Sequence, residues 1–420
     1  MKKEKKLTFI DLFAGCGGLS EGFLQTKKFN AIAHIEWELP MVNTLRDRLV
    51  SHWGHTDEEA KKRVIHFDIQ NTEELLEGNW SENSQHLYNV FNDNKIIKNG
   101  LNGLINNKKI DVIIGGPPCQ AYSIHGRATD RGSMQNDYRN YLFESFVKIV
   151  DKVRPEVFVF ENVPGILSAK PGGVKITERI YEAFCKIGYI IPEPSELSNV
   201  VFDASDFNVP QKRKRVLIIG IKKESKYCLD DFYQSILKNQ DKKNKKTVRD
   251  AIGFLPRILP LKKVIKVKGK NISHYSEDTN ILQHTPRHNN SRDVKIFKKW
   301  IEEGMNYLPH KEKVDFYYEM TKKQTLYSKY RNLEWNRQAH TIVAHLQKDG
   351  LMFIHPDPEQ ARSITIREAA LLMTFPVDYK FIGSNAYCYK MIGNAVPVNF
   401  AKSIGDSIYE VMSRKNKQIK

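Results

Sequence analysis

Asp111-Val-Ile-Ile-Gly-Gly-Pro-Pro-Cys-Gln-Ala-Tyr-Ser123 is the stretch on which the fold turns. Val112 to Ile114 is a short apolar run of the kind that fills a buried strand. Gly115 and Gly116 end it, and Pro117 and Pro118 stiffen the following turn. Cys119 is thereby held at the carboxyl end of a strand, where ligands gather in open α/β sheets. A thiol fixed there is a candidate nucleophile. The plainer fate of a lone cysteine is to be packed and inert; this turn presents the side chain instead.

Toward the N-terminus, Leu7 to Leu12 reads as a strand. Phe13-Ala-Gly-Cys-Gly-Gly18 follows, then a helical pattern with Leu19, Phe23 and Leu24 on one face. Glycines between a first strand and a first helix let backbone approach a nucleotide or nucleoside, although the same turn also serves simple tight packing. It is no P-loop, because no Gly-Lys-Ser/Thr follows, and triphosphate binding is disfavoured. The second strand, Ala31 to Ile35, ends at Glu36-Trp37. An acid about 20 positions beyond the glycines suits a ribose-hydroxyl ligand, and Trp37 offers a face for adenine. The third strand, Val64 to Phe67, ends at Asp68-Ile69. Asp68 is either an acceptor for an adenine amino group or an ordinary helix cap. Residues 72–108 are Asn-rich and polar, a surface insertion without an assigned function.

Toward the C-terminus, Gln120 to Asn140 is a long polar loop with Gly126-Arg127, Arg131-Gly132 and Tyr138-Arg139, composed like a lid that touches phosphates. A helix over Tyr141–Lys152 and a strand over Val157–Phe160 deliver Glu161 to the same sheet edge as Cys119. After a helix over Lys175–Ile187, the run Val209-Pro-Gln-Lys-Arg-Lys-Arg-Val-Leu-Ile-Ile-Gly220 enters another strand, with Arg213 and Arg215 on one face. From 221 to 360 strand–helix alternation fades, and lysines mix with His, Tyr, Trp and Arg, as in Tyr327-Ser-Lys-Tyr-Arg331. This composition suits a basic unit facing nucleic acid. Ser363 to Met373 is a capped amphipathic helix stopped by Phe375-Pro376, and Gly393-Asn-Ala-Val-Pro397 turns into a last helix ending near Met412. Polar or glycine sites thus follow strands at 13–18, 36, 68, 119 and 161, all on one sheet edge.

The 420-residue length suggests two or three domains, and the net charge of +17 favours a polyanionic partner. Five scattered cysteines with no CxxC pair argue against a disulfide framework or a thiolate zinc site, and fit a reducing compartment. The basic N-terminus is not a signal peptide, because Asp11 breaks the apolar run after it. No run approaches transmembrane length.

Asp11-Leu-Phe-Ala-Gly-Cys-Gly-Gly18, Gly116-Pro-Pro-Cys-Gln-Ala-Tyr-Ser123, Glu161-Asn-Val163, Gln211-Lys-Arg-Lys-Arg215, Thr365-Ile-Arg-Glu368 and Gly393-Asn-Ala-Val-Pro397 together resemble the ordered motif set of the cytosine carbon-5 DNA methyltransferases of bacterial restriction-modification type. The likeness covers roughly 7–220 and 339–402; Pro117 is a mild departure, and the 72–108 insertion has no motif counterpart. It implies an α/β, Rossmann-like S-adenosylmethionine-dependent methyltransferase sheet with helices on both faces. A smaller, irregular, mostly β target-recognition domain would occupy 223–361, with the catalytic domain formed by 1–222 and 362–420.

The resemblance further implies Cys119, Glu161, Arg213 and Arg215 as catalytic residues, with Arg213 on the base's exocyclic oxygen and Arg215 in support. Asp11, Phe13, Gly15, Cys16, Gly17, Gly18, Glu36, Trp37, Asp68, Ile69, Pro117, Leu142, Asn394 and Val396 would line the donor site. Gln120, Ser123, Arg127, Gln211 and Arg331 would touch DNA. No metal is expected. The partners implied are double-stranded DNA and a restriction endonuclease acting on the same site, for a monomeric bacterial cytoplasmic enzyme associated with the nucleoid. A zinc nucleobase deaminase is rejected, because its second cysteine is replaced by Tyr122. A tRNA methyltransferase of the same fold is disfavoured by the large 221–360 segment. A silent DNA-binding relative should lack the Cys or the Glu, and a nicotinamide dehydrogenase gives no role to Cys119 with Glu161.

Overall fold

Five apolar runs become parallel neighbours in the computed structural model, which describes residues 5–88, 99–118, 142–267, 269–276 and 280–414. They are β1 (Leu7–Leu12), β2 (Phe29–Glu36), β3 (Val64–His66), β4 (Val112–Gly115) and β5 (Val157–Asn162), in the order β3-β2-β1-β4-β5. β8 (Lys214–Lys222) lies antiparallel on β5, and β6 (Tyr189–Ile190) and β7 (Val201–Asp203) lie antiparallel on β8. Every residue of β4 and β5 is buried, which a sheet covered by helices on both faces requires. One such cover is helix Leu142–Val153, whose Phe146 sets its edge against Phe158 and Phe160. The chain goes from β1 to β2 on one side and places β4 on the other. That reversal opens a crevice at the strands' carboxyl ends.

The chain forms two compact units, the first comprising Met1–Phe207, Arg213–Lys242 and Ala395–Lys420, the second Asn208–Lys212 and Lys243–Asn394. These bounds differ from 222 and 362 for physical reasons. Helix Leu229–Lys238 stays with the first unit because Tyr233 bonds the β8 backbone and Ser235 donates to Glu410 of the last helix. Helix Ile366–Leu372 stays with the second because buried Arg367 donates to the Leu282, Pro376 and Tyr379 carbonyls.

In the first unit, helices Thr72–Glu77, Glu82–Tyr88 and Gly100–Ile105 occupy the described part of the Asn-rich insertion, with Trp80 edge-on to Phe67. The second unit was expected to be mostly β. Its regular structure among the described residues is mainly helical instead. Helices Ser291–Glu302 and His310–Thr321 bury Ile296, Phe297, Trp300 and Phe316 beside Tyr330 and Ile354, and β9 (Ile258–Val267) pairs with β10 (Lys270–Ser276) in one ribbon. Among the described residues no helix is long and apolar enough to cross a membrane.

Candidate active site

The turn after β1 is built on left-handed backbone. Phe13 has φ +59°, Gly15 +56° and Gly17 +85°. For Phe13 that conformation costs about 1–2 kcal/mol, which the surrounding packing has to offset. Among the described residues, a side chain at Gly15 would meet nothing nearer than Met41 Sδ at 4.0 Å, so these leave space beside the turn. Gly18 and Gly22 serve a different purpose. A Cβ at Gly18 would overlap the Val396 carbonyl oxygen, and one at Gly22 would sit 2.7 Å from the Val398 carbonyl oxygen. These two glycines let helix Gly18–Gln25 touch the backbone of the last helix, Val398–Arg414, and the residues before it.

Glu36, at the end of β2, holds the turn in place. Its Oε2 accepts the Gly15 N–H at 2.8 Å, and its Oε1 accepts those of Trp37 at 2.9 Å and Glu38 at 2.8 Å. A carboxylate has about four lone-pair sites, so room remains for a donated hydroxyl. Burial pushes Glu36 up to about 7 against the pull of those N–H groups. Trp37 beside it is half-exposed. Beneath the turn, Ser20 donates to Asp11 Oδ2 at 2.5 Å and lies 2.8 Å from His34 Nδ1. Burial raises Asp11 to about 7 and lowers His34 to about 3, which leaves the imidazole neutral. Ser20 and His34 were not expected here; an alternating strand position and a helical one carry no local signal of their meeting. Asp68 is partly exposed and accepts the Gln70 N–H at 3.0 Å, and Ile69 is buried behind it.

At the next strand ends, Glu161 leaves β5 nearly buried, and a Cβ at Gly116 would come within 2.6 Å of its Oε2. The chain therefore departs from β4 against this carboxylate, three residues before Cys119. Asn162 Nδ2 donates to the Pro117 carbonyl at 3.3 Å and steadies the turn. Arg215 Nε sits 2.6 Å from Glu161 Oε1 as an ion pair. The contact lacks hydrogen-bond alignment, and this buried oxygen has no hydrogen-bond partner among the described residues. A buried carboxylate paired this way keeps lone pairs free for a further donor.

The two arginines separate. Arg213, expected at the base, is buried and donates Nη2 to the Ala395 carbonyl at 2.9 Å; Arg215, expected in support, is the one beside Glu161. Gln211 corrects an expected DNA contact. Its buried amide is spent internally, Nε2 donating to the Leu372 carbonyl at 3.2 Å and Oε1 accepting the Ile342 N–H at 2.9 Å. Leu142, Val396 and Cys16 are buried, whereas Asn394 and Arg331 are exposed. Cys119, Gln120, Ser123 and Arg127, with the 120–140 loop, lie outside the described residues.

The chain is 34% identical to the type II methyltransferase M.Bpa9945I of Bacillus paralicheniformis, over 96% of this chain and 99% of the relative. It is 30% identical to a type II methyltransferase assigned in Oceanobacillus iheyensis, over 96% of each. A crystal structure described as a DNA modification methyltransferase encoded within an E. coli prophage shares the fold, with a TM-score of 0.61 at 24% identity, covering 97% of this chain and 99% of the other. The Dnmt2 methyltransferase of S. pombe shares it at a TM-score of 0.52 and 15% identity, over 97% and 100%. The family model of C-5 cytosine-specific DNA methylases matches residues 7–79 and 70–410, and the chain belongs to that family.

Proposed function

We propose that this DNA cytosine methyltransferase moves a methyl group from S-adenosylmethionine to carbon 5 of a cytosine flipped out of a short, specific duplex site, as the modification enzyme of a restriction-modification system. The observation that carries the reading is the Glu161 carboxylate, buried beside Arg215 and against Gly116, which stands three residues before the only thiol the motif supplies. Carbon 5 of cytosine is a poor nucleophile. Attack of the Cys119 thiolate on carbon 6 forms an S–C bond and leaves carbon 5 enamine-like. Glu161 holds the base's Watson–Crick edge and protonates nitrogen 3 as the adduct forms. Arg215 takes the base's exocyclic oxygen, the part first given to Arg213, and its charge favours the thiolate. After transfer, loss of the carbon-5 proton breaks the S–C bond and frees the enzyme.

The donor fits the first turn. Glu36 retains capacity for a ribose hydroxyl, the described residues leave space beside Gly15, and Trp37 offers a face for adenine. When bound, S-adenosylmethionine supplies an electrophilic methyl group on a sulfonium. Asp68, Ile69, Pro117, Leu142, Val396 and Asn394 complete the donor-site set in this reading. The second unit reads the DNA, with Arg331 among its contacts, and Gln120, Ser123 and Arg127 belong to the same DNA-contacting set in this reading. Bisulfite sequencing of plasmid from cells expressing the chain, beside Cys119→Ala, tests the whole scheme. Methylation at one short motif in the wild type alone is expected. Unmodified DNA from both would move the substrate to tRNA or leave an inactive binder.

A further inference from the structure

We infer that the β9–β10 ribbon is a phosphate-binding arm, which grips duplex DNA without reading its sequence. The inference rests on DNA being the substrate and adds a named element to it. Ile258 is buried at the ribbon's base, but every residue from Lys262 to Val267 is exposed. The sequence of the ribbon, ILPLKKVIKVKGKNISHYS from Ile258 to Ser276, contains five lysines and no acidic residue. Lys268, in the turn, lies outside the described residues. Among the described residues no carboxylate reaches Lys262, Lys263, Lys266 or Lys270 within ion-pair distance.

The register places lysines on both faces of the ribbon. Lys270 pairs with Val267, Asn271 with Lys266 and Ile272 with Ile265. Because side chains alternate across a strand, Ile265, Val267, Lys270 and Ile272 share one face, and Lys266 and Asn271 share the other; Lys262, Lys263 and Val264 lie where the register shifts, and are exposed. Exposed lysines are thus interspersed with exposed aliphatic residues along the outer half of the ribbon. A two-stranded ribbon is at best marginally stable in water by itself, so one that projects bare is suited to being covered by a partner. Charge decides which partner. An uncompensated row of ammonium groups favours a polyanion, and a ribbon of this width fits a DNA groove with its lysines toward the flanking phosphates. Such contacts position a protein on DNA and carry no sequence information.

The test compares wild type with the combined K262Q/K263Q/K266Q/K270Q variant, and with the matching four-arginine variant, on a short random-sequence duplex over a range of salt. Removing four contacts should make the slope of log affinity against log salt shallower by about 2–4, and weaken low-salt binding about 10- to 100-fold. The arginine variant should keep the wild-type slope. Donor affinity and the unfolding midpoint check that every variant is folded. A glutamine variant that is folded yet keeps the wild-type slope overturns the inference. So does a dimer in sedimentation that dissolves when Ile265 and Val267 become Thr while the lysine variant's slope stays put, because the ribbon would then pair copies of the chain. Methylation by the wild type in the same preparation keeps the two readings apart. Wild type that binds duplex but leaves cytosine unmodified sinks the catalytic scheme, whereas an unmoved slope in an otherwise methylating protein sinks only the arm.

Discussion

At the residue scale, Glu161 and Arg215 form a buried ion pair, and Arg213 stands apart from it. Alternation along a strand puts Arg213 and Arg215 on one face, so their sequence cannot rank them. What ranks them is the partner each finds, and Arg213 finds a carbonyl 182 positions away. Glu161→Gln should leave DNA binding near normal and slow covalent trapping by a 5-fluorocytosine duplex by about 10²–10⁴-fold, the usual scale of a lost general acid. An unchanged trapping rate would rule out its role on nitrogen 3. Arg215→Lys should lower the trapping rate too, whereas Arg213→Lys should chiefly lower the unfolding midpoint; the opposite pattern would restore the original assignment. Glu36 supplies a pH test. Its folded value of about 7 lies above the ordinary 4.5, so the empty protein binds the extra proton between those values. This group therefore costs stability as pH rises from 4.5 toward 7. A carboxylate accepts a ribose hydroxyl better than a carboxylic acid does, so donor affinity should rise with pH until about 7 and then level off. Titration of donor against Trp37 fluorescence from pH 5.5 to 8 checks this, and Glu36→Gln should bind weakly with no such rise.

At the element scale, the first helix is shaped by the last. Gly18 and Gly22 allow a backbone-to-backbone approach, and a methyl group at either has no flexible neighbour to displace. Gly22→Ala should therefore destabilise the protein by about 1–3 kcal/mol despite the better helix propensity of alanine. Denaturant unfolding measures it, and a neutral or stabilised Gly22→Ala would show the two helices free to separate. Gly18 was visible in the sequence as part of a turn that suits either a ligand or tight packing, and only the family resemblance put it near Val396; Gly22 carried no signal, because its close approach to Val398 is set by the fold. The strands were more legible. β4 and β5 are continuous apolar runs ending in Gly or a polar pair, and such runs have few other uses. The second unit was least legible. Helix Ser291–Glu302 buries only Ile296, Phe297 and Trp300 among lysines and acids, too narrow a stripe to stand out from a basic loop.

At the scale of the whole molecule, the first unit is assembled from three stretches of chain, with nearly all of the second unit lying in the sequence between Lys242 and Ala395. The motif order announced the return of the chain after that long segment. It did not announce that the return carries part of the first unit's own core. Phe400, Ile404, Ile408, Val411 and Met412 of the last helix are all buried. At about 1.5–3 kcal/mol each, these side chains contribute roughly 7–15 kcal/mol, comparable with the entire stability of an ordinary domain. Gly18 and Gly22 pack against the same stretch, so the turn at 13–18 and the last helix should form together or not at all. A chain ending at Asn394 should thus lose cooperative unfolding of the first unit and its donor binding. Co-expression of residues 395–420 as a separate polypeptide should restore both in part, because the contact is a surface and not a covalent constraint. Circular dichroism melts and donor titrations on the truncated and co-expressed proteins decide the matter. A truncated chain that melts cooperatively and binds donor with unchanged affinity would show that the first unit closes without its C-terminal helix. The turn at 13–18 would then owe its left-handed backbone to Glu36 and the Asp11–Ser20–His34 contacts alone.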